Sequence, residues 1–168
     1  MKTTLLTFVI SILSHIVYGQ LAFTTFYTKD GVETKNENEA YSYRELTKME
    51  NNQVRVVEKY ISNQKTKLIG TFASFTDKKF VGQKLEAFET GKIKSKLFYS
   101  EDGVLIDTAY YYHPNGKLKI AYEYPYTREK NKTKVTDTLI LVYNDSLGNR
   151  HLANGNGYAE IEYKKFFN

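Results

Sequence analysis

FETGKIKSKLFYSEDGVLIDTAYYYHPNGKLKIAYEY, residues 88–124, decides how the rest of the chain is read. Gly91-Lys92-Ile93-Lys94 returns as Gly116-Lys117-Leu118-Lys119, and Leu97 and Tyr99 return as Tyr122 and Tyr124, all at a shift of 25 residues. Glu101-Asp102-Gly103, followed by Val104-Leu105-Ile106, stands between the two copies. Each unit is a strand, a turn closed by glycine and a second strand. Glycine suits the turn because it takes positive φ without a steric penalty. The residues after each glycine alternate as a half-buried strand requires. Repetition of this kind describes a scaffold more than a chemistry.

Working outward, the same pattern continues in both directions. Strands are predicted over 21–27, 53–61, 68–75, 81–88, 93–99, 105–113 and 118–124. Lys29-Asp30-Gly31, Asn51-Asn52 and Asn115-Gly116 mark turns between them. Residues 39–49 suit strand or helix, with Tyr41 and Tyr43 alternating. Pro125 ends the ladder by removing a donor. The stretch 128–136 reads as a charged polar excursion. TLILVY at 138–143 is the most apolar strand and is expected to be buried, and a last strand is expected over 158–163. The fold class predicted is all-β, an antiparallel meander of hairpins in a single-layer or open sheet.

Composition supports this reading. Tyr (15) and Phe (10) bring the aromatic share to 15%, and there is no Trp. Tyr, Phe, Val, Ile and Thr suit pleated, half-buried surfaces. A thin sheet using amphipathic tyrosine, in place of a thick aliphatic core, is the expected design.

The first residues differ from the rest. Met1-Lys2 is followed by a mostly apolar run over 5–18, and Val17-Tyr18-Gly19 then offers a cleavage site before Gln20. That layout is a secretory signal peptide over 1–19. The run is shorter than the roughly 20 residues that span a bilayer. One β-rich domain over 20–168 is expected to follow, with no transmembrane segment in the mature chain. The absence of cysteine excludes disulfides, thiolate metal sites and a lipid-anchored N-terminal cysteine. An exported chain without disulfides fits a bacterial envelope better than a eukaryotic secretory route. The expected location is the periplasm or the outer membrane. The net charge of +5 falls to about +4 without the leader, and this modest excess, with one basic cluster at 128–134 that lacks interleaved aromatics, argues with export against a nucleic-acid partner.

Chemistry-bearing motifs are sparse. Two histidines, His113 and His151, remain after the leader, too few for a zinc site. There is no nucleophile elbow, zinc-protease helix motif or phosphate-binding glycine loop. Glu160 and Glu162 would share a face of the last strand, with Glu86 nearby, yet exposed acids on a strand ordinarily keep a sheet soluble. Asp145, Gly148 and Asn149 lack calcium-loop spacing. No catalytic residue, metal or cofactor is assigned. The candidate binding residues are four tyrosines, Tyr110 and Tyr112 on one strand and Tyr122 and Tyr124 on the next. Paired across strands, they would form an aromatic ladder, serving either as the core of a single-layer sheet or as an exposed platform.

Tyr-Tyr-His-Pro-Asn-Gly-Lys-Leu-Lys at 111–119 resembles the signature of the MORN-variant (YwqK-type) repeats, and residues 88–99 resemble a weaker copy with Thr90 in place of the turn asparagine. The likeness is clearest over 80–124. The wider layout is similar to the repeat region of Bacteroidetes TonB-associated envelope proteins, but without the TonB domain. The resemblance implies a sheet-forming repeat that mediates contacts and carries no catalytic residues. The function expected is an exported, non-enzymatic scaffold whose partner is another envelope protein. The alternatives are a glycan-binding module using the tyrosine face and an antitoxin-like protein of the same repeat family.

Overall fold

The computed structural model describes residues 22–130, 132–153 and 156–157. In chain order the strands are β1 (Ala22–Tyr27), β2 (Glu33–Thr34), β3 (Ser42–Lys48), β4 (Val54–Tyr60), β5 (Thr66–Phe72), β6 (Gly82–Ala87) and β7 (Ile93–Tyr99). They continue with β8 (Leu105–Tyr112), β9 (Leu118–Tyr124), β10 (Tyr126–Glu129), β11 (Lys132–Val135), β12 (Leu139–Asn144), β13 (Arg150–Ala153) and β14 (Asn156–Gly157). A one-turn 3₁₀ helix, Glu37–Glu39, is capped by the Asn36 side chain.

Twelve strands form one antiparallel sheet in the order β14-β13-β12-β9-β8-β7-β6-β5-β4-β3-β1-β2, and the sheet does not close. The predicted all-β antiparallel meander is therefore the fold. Strands over 93–99 and 118–124 lie where the sequence placed them, and the ambiguous 39–49 stretch supplies β3. The last predicted strand, 158–163, lies outside the described residues, as does the leader. Two expectations change. The charged stretch is not simply a loop, because β10 (Tyr126–Glu129) and β11 (Lys132–Val135) pair as a separate two-stranded hairpin. The apolar β12 is not buried, and Leu139 is 42% exposed. Ile140, Leu141, Val142 and Tyr143 are only half-buried.

The turns explain why a meander forms. In residues 88–92, 100–104, 113–117 and 145–149 the first residue's N–H bonds the fifth residue's carbonyl, and the fourth residue's N–H bonds the first residue's carbonyl, at 2.8–3.0 Å. The fourth residue is Gly91, Gly103, Gly116 or Gly148, with φ of 81–90°. This is the three-residue hairpin loop with a left-handed residue in fourth place. At one end of the sheet these turns stack. Lys65 Nζ donates to Thr90 O at 2.9 Å and Lys92 Nζ to Asn115 O at 2.8 Å, and Lys117 Nζ donates to Leu147 O.

The repeat also carries its own bulge. Three residues after the left-handed Gln64, Gly91, Gly116 and Gly148, the ladder skips one residue: Lys67, Lys94, Lys119 and His151. The unit visible twice in the sequence is thus built four times.

One face of the sheet holds the core. Leu46, Val54, Val56, Leu68 and Phe72 cluster there, with Phe75 and Phe80 packed on them, and Val54 and Val56 are fully enclosed. Burying side chains of this size contributes about 1.5–3 kcal/mol each. The 73–81 connection folds over this face. Its Phe80 ring lies on Gly70, where a Cβ would meet ring carbon Cε1 at 2.8 Å. Phe80 also meets Phe72 and Tyr99, with ring centroids 4.7 and 5.9 Å apart, and Phe23 meets Phe75 edge-on at 5.4 Å.

Candidate functional site

Directly paired residues of an antiparallel sheet lie on the same face, so the register sorts every strand into two rows. The inner row runs Arg44, Glu58, Leu68, Glu86, Ser95, Tyr111, Ile120 and Tyr143. The outer row runs Glu45, Val57, Ile69, Leu85, Lys96, Tyr110, Ala121 and Val142.

The inner row holds two ion clusters. Glu58 is 2% exposed. Its Oε2 accepts Arg44 Nη2 at 2.7 Å and Nε at 3.1 Å, and its Oε1 accepts Lys67 Nζ and Ser42 Oγ, each at 2.7 Å. Burial pushes this carboxyl up, but the bonds from Lys67, Ser42 and Arg44 outweigh burial and hold it below the usual range. Lys67 is the skipped residue of its hairpin, and the bulge brings its ammonium to Glu58 from one side while Arg44 meets Glu58 from the other. Tyr41 and Tyr60 flank Lys67, with ring centroids 5.5 and 6.0 Å from Nζ. In the second cluster Glu86 takes Lys84 Nζ at 2.6 Å, Lys94 Nζ at 3.8 Å and Ser95 Oγ at 3.2 Å. Burial again opposes ionisation, and Lys84, Lys94 and Ser95 again prevail.

Two strand spacings, about 10 Å, separate Glu58 from Glu86. Hydrolysis by a carboxyl pair needs one partner protonated. Both of these carboxyls are held ionised, so the pair offers no proton donor near neutral pH. Glu160 and Glu162 lie outside the described residues. His113 Nε2 sits 3.1 Å from Asn144 O, and His151 Nε2 sits 3.3 Å from Asp145 Oδ2. Among the described residues no group of His, Asp or Glu is arranged to hold a metal ion.

The four candidate tyrosines do not form one ladder. Tyr110 pairs with Ala121, and Tyr122 pairs with Ala109. Tyr110 therefore stands on the outer face and Tyr122 and Tyr124 on the inner face. The cause is the skipped Lys119: Tyr112 pairs with Leu118, whereas Tyr111 pairs with Ile120. A one-residue shift moves every later side chain to the opposite face. Tyr112 stays on the outer side with Tyr110. The inner face instead gathers Tyr111, Tyr122 and Tyr124, with centroids 6.0 Å apart for the first pair and 6.2 Å for the second. Burial, with Tyr124, Tyr99 and Tyr122 close by, pushes the Tyr111 phenol up to about 12. All four candidate tyrosines are half-buried.

The outer row is the feature that sequence reading missed. Val57, Leu85, Tyr110 and Val142 are half-buried and Ile69 is 36% exposed. At one end the row meets a groove of about 830 Å³ lined by Glu45, Thr47, Met49, Arg55, Val57 and Lys59. The signal was present as single apolar residues among polar ones, but their alignment is a property of register.

Compared with protein-family profiles, curated proteins and solved structures, the chain matches none. Among the described residues no helix is long and apolar enough to cross a membrane.

Proposed function

We propose that this chain is an exported, non-enzymatic sheet scaffold of the bacterial envelope that binds another envelope protein through its outer apolar row. The observation that carries this reading is the line Val57–Ile69–Leu85, continued past Lys96 by Tyr110, on the face that the 73–81 connection leaves uncovered. Apolar side chains aligned across strands give a partner a continuous contact, and exposed apolar patches on soluble domains mark interaction sites. The MORN-variant likeness of residues 80–124 points the same way.

The glycan alternative needs Tyr110, Tyr112, Tyr122 and Tyr124 on one face, whereas the inner face groups Tyr111, Tyr122 and Tyr124. Their rings are inclined by 84° and 41° to their neighbours, which gives a sugar no flat platform, so the protein partner is preferred. The antitoxin-like alternative requires a chain that keeps Met1 in the cytoplasm.

The test is crosslinking of the tagged full chain in its own cell envelope, with mass spectrometry of bait and captured protein. Wild type is compared with the double variant Ile69→Lys, Leu85→Lys, whose folding is checked by circular dichroism. The expected result is a bait starting at Gln20 and one defined envelope partner, lost in the folded double variant. A partner that survives the substitutions overturns the role of the row. A bait still starting at Met1, with nothing captured, returns the antitoxin-like reading.

A further inference from the structure

The β10–β11 hairpin has no part in either row. Residues 126–134 hold four cations, Arg128, Lys130, Lys132 and Lys134, against Glu129 alone, a net of +3 in a chain of +5. Pairing sorts its side chains. Tyr126, Arg128, Thr133 and Val135 share one face; Thr127, Glu129, Lys132 and Lys134 share the other. The first face leans on the body: Thr133 and Val135 are half-buried, whereas Lys132 and Lys134 are exposed. Lys130, at φ 48°, stands where the hairpin turns. No ion pair to Lys130, Lys132 or Lys134 forms among the described residues.

An isolated two-stranded hairpin is marginal in water, and this one is held. Asp102 Oδ2 accepts the Thr133 N–H at 2.6 Å, and Asp102 Oδ1 accepts Ser100 Oγ at 2.5 Å. Those bonds hold the Asp102 carboxyl far below its ordinary range. Arg128 reaches Glu101 at 3.4 Å. At the base, Thr136 N–H and Oγ1 both donate to Pro125 O, at 2.8 and 3.0 Å. Three lysines are thereby exposed on an anchored arm, with their charges unpaired among the described residues.

We infer that this arm is a docking surface for an anionic lipid membrane, its lysines meeting headgroup phosphates. Charge complementarity supports that partner, since basic clusters are drawn to anionic bilayers. The lysine face carries no aromatic ring, so it lacks the stacking platform that single-stranded nucleic acids use. Lysine is a compact, hydrated point charge that suits a fluid array of phosphates better than a fixed bidentate acceptor. The arm is a two-stranded sheet of its own and shares no residue with the outer apolar row.

The experiment is cosedimentation of the full chain with vesicles of phosphatidylcholine, alone and mixed with phosphatidylglycerol. Wild type is expected to bind the mixed vesicles and to release them as salt shortens the screening length to ~3 Å. Each lysine near an anionic surface contributes about fivefold, so Lys130→Gln, Lys132→Gln, Lys134→Gln together weaken binding on the order of 100-fold. Asp102→Asn, which loosens the anchor and leaves every lysine in place, is expected to weaken binding by a smaller factor. Equal binding to neutral and mixed vesicles, no binding by wild type, or an unaffected triple variant overturns the inference. So does duplex DNA competing the protein off the vesicles while the triple variant still sediments with lipid.

Discussion

Replacing Glu58 by glutamine tests how the inner face is held together. The carboxylate is 2% exposed and takes bonds from Arg44, Lys67 and Ser42. Glutamine keeps the shape but loses the charge, and its NH₂ group points a donor at donors. Breaking a sealed ion pair costs about 3–5 kcal/mol. Here the partners are not sealed: the Arg44 and Lys67 side chains are 22% and 27% exposed. Both rehydrate in part, which lowers the figure to about 2–3 kcal/mol. In urea the midpoint should fall by about 1 M, with the slope unchanged. The pH dependence fixes the sign. The folded carboxyl titrates below its unfolded value of 4.5. Its stabilisation is therefore fully present above pH 4.5 and is lost as pH falls through the lower folded value. The gap between wild type and Glu58→Gln should be constant from pH 7 down to about pH 5 and then shrink on further acidification. A variant as stable as wild type at pH 7 would refute the account, as would a gap that does not narrow in acid.

Gly116 holds φ 90°, and a Cβ there would also touch Lys92 Cδ at 3.4 Å. Gly116→Ala should cost about 1–2 kcal/mol in thermal unfolding, and Gly116→Asn less, since asparagine tolerates the left-handed region. Phe80→Ala removes the ring lying on Gly70 and Phe72. Because Phe80 is only half-buried, a loss of about 2–3 kcal/mol is expected by denaturant titration, below the range for a sealed phenylalanine. Gly70→Ala in wild type should also destabilise, whereas in the Phe80→Ala background it should be nearly neutral, and that coupling is read from a double-mutant cycle. In a spectrophotometric titration, the phenol of Tyr111, pushed up to about 12, should ionise after the exposed tyrosines, and Tyr111→Phe should remove amplitude from that late phase alone.

The strands and their turns were legible because both are local. A period of two names a half-buried strand, and a glycine at the left-handed fourth position names the turn, so β7 and β9 could be placed from residues 88–124 alone. The basic content of 128–134 was equally plain, although its shape was not. Four alternating residues on each side of a tip are too short to be separated from a loop by pattern, and it is their pairing with each other, with Asp102 bonded to Thr133 beside it, that makes them strands.

What only the tertiary structure decided is which residues share a face. Lys67, Lys94, Lys119 and His151 look like ordinary members of their strands, yet the ladder skips each of them. A skip costs little locally, because one residue merely goes unpaired, but it reverses the facing of everything beyond it. It separates Tyr110 from Tyr122, brings Lys67 to Glu58, and lines up Val57, Ile69 and Leu85 across three successive strands. Period-two alternation fixes a side chain relative to its own strand. Its position relative to the neighbouring strand is set by the hydrogen-bond register, and that exists only once the sheet has formed.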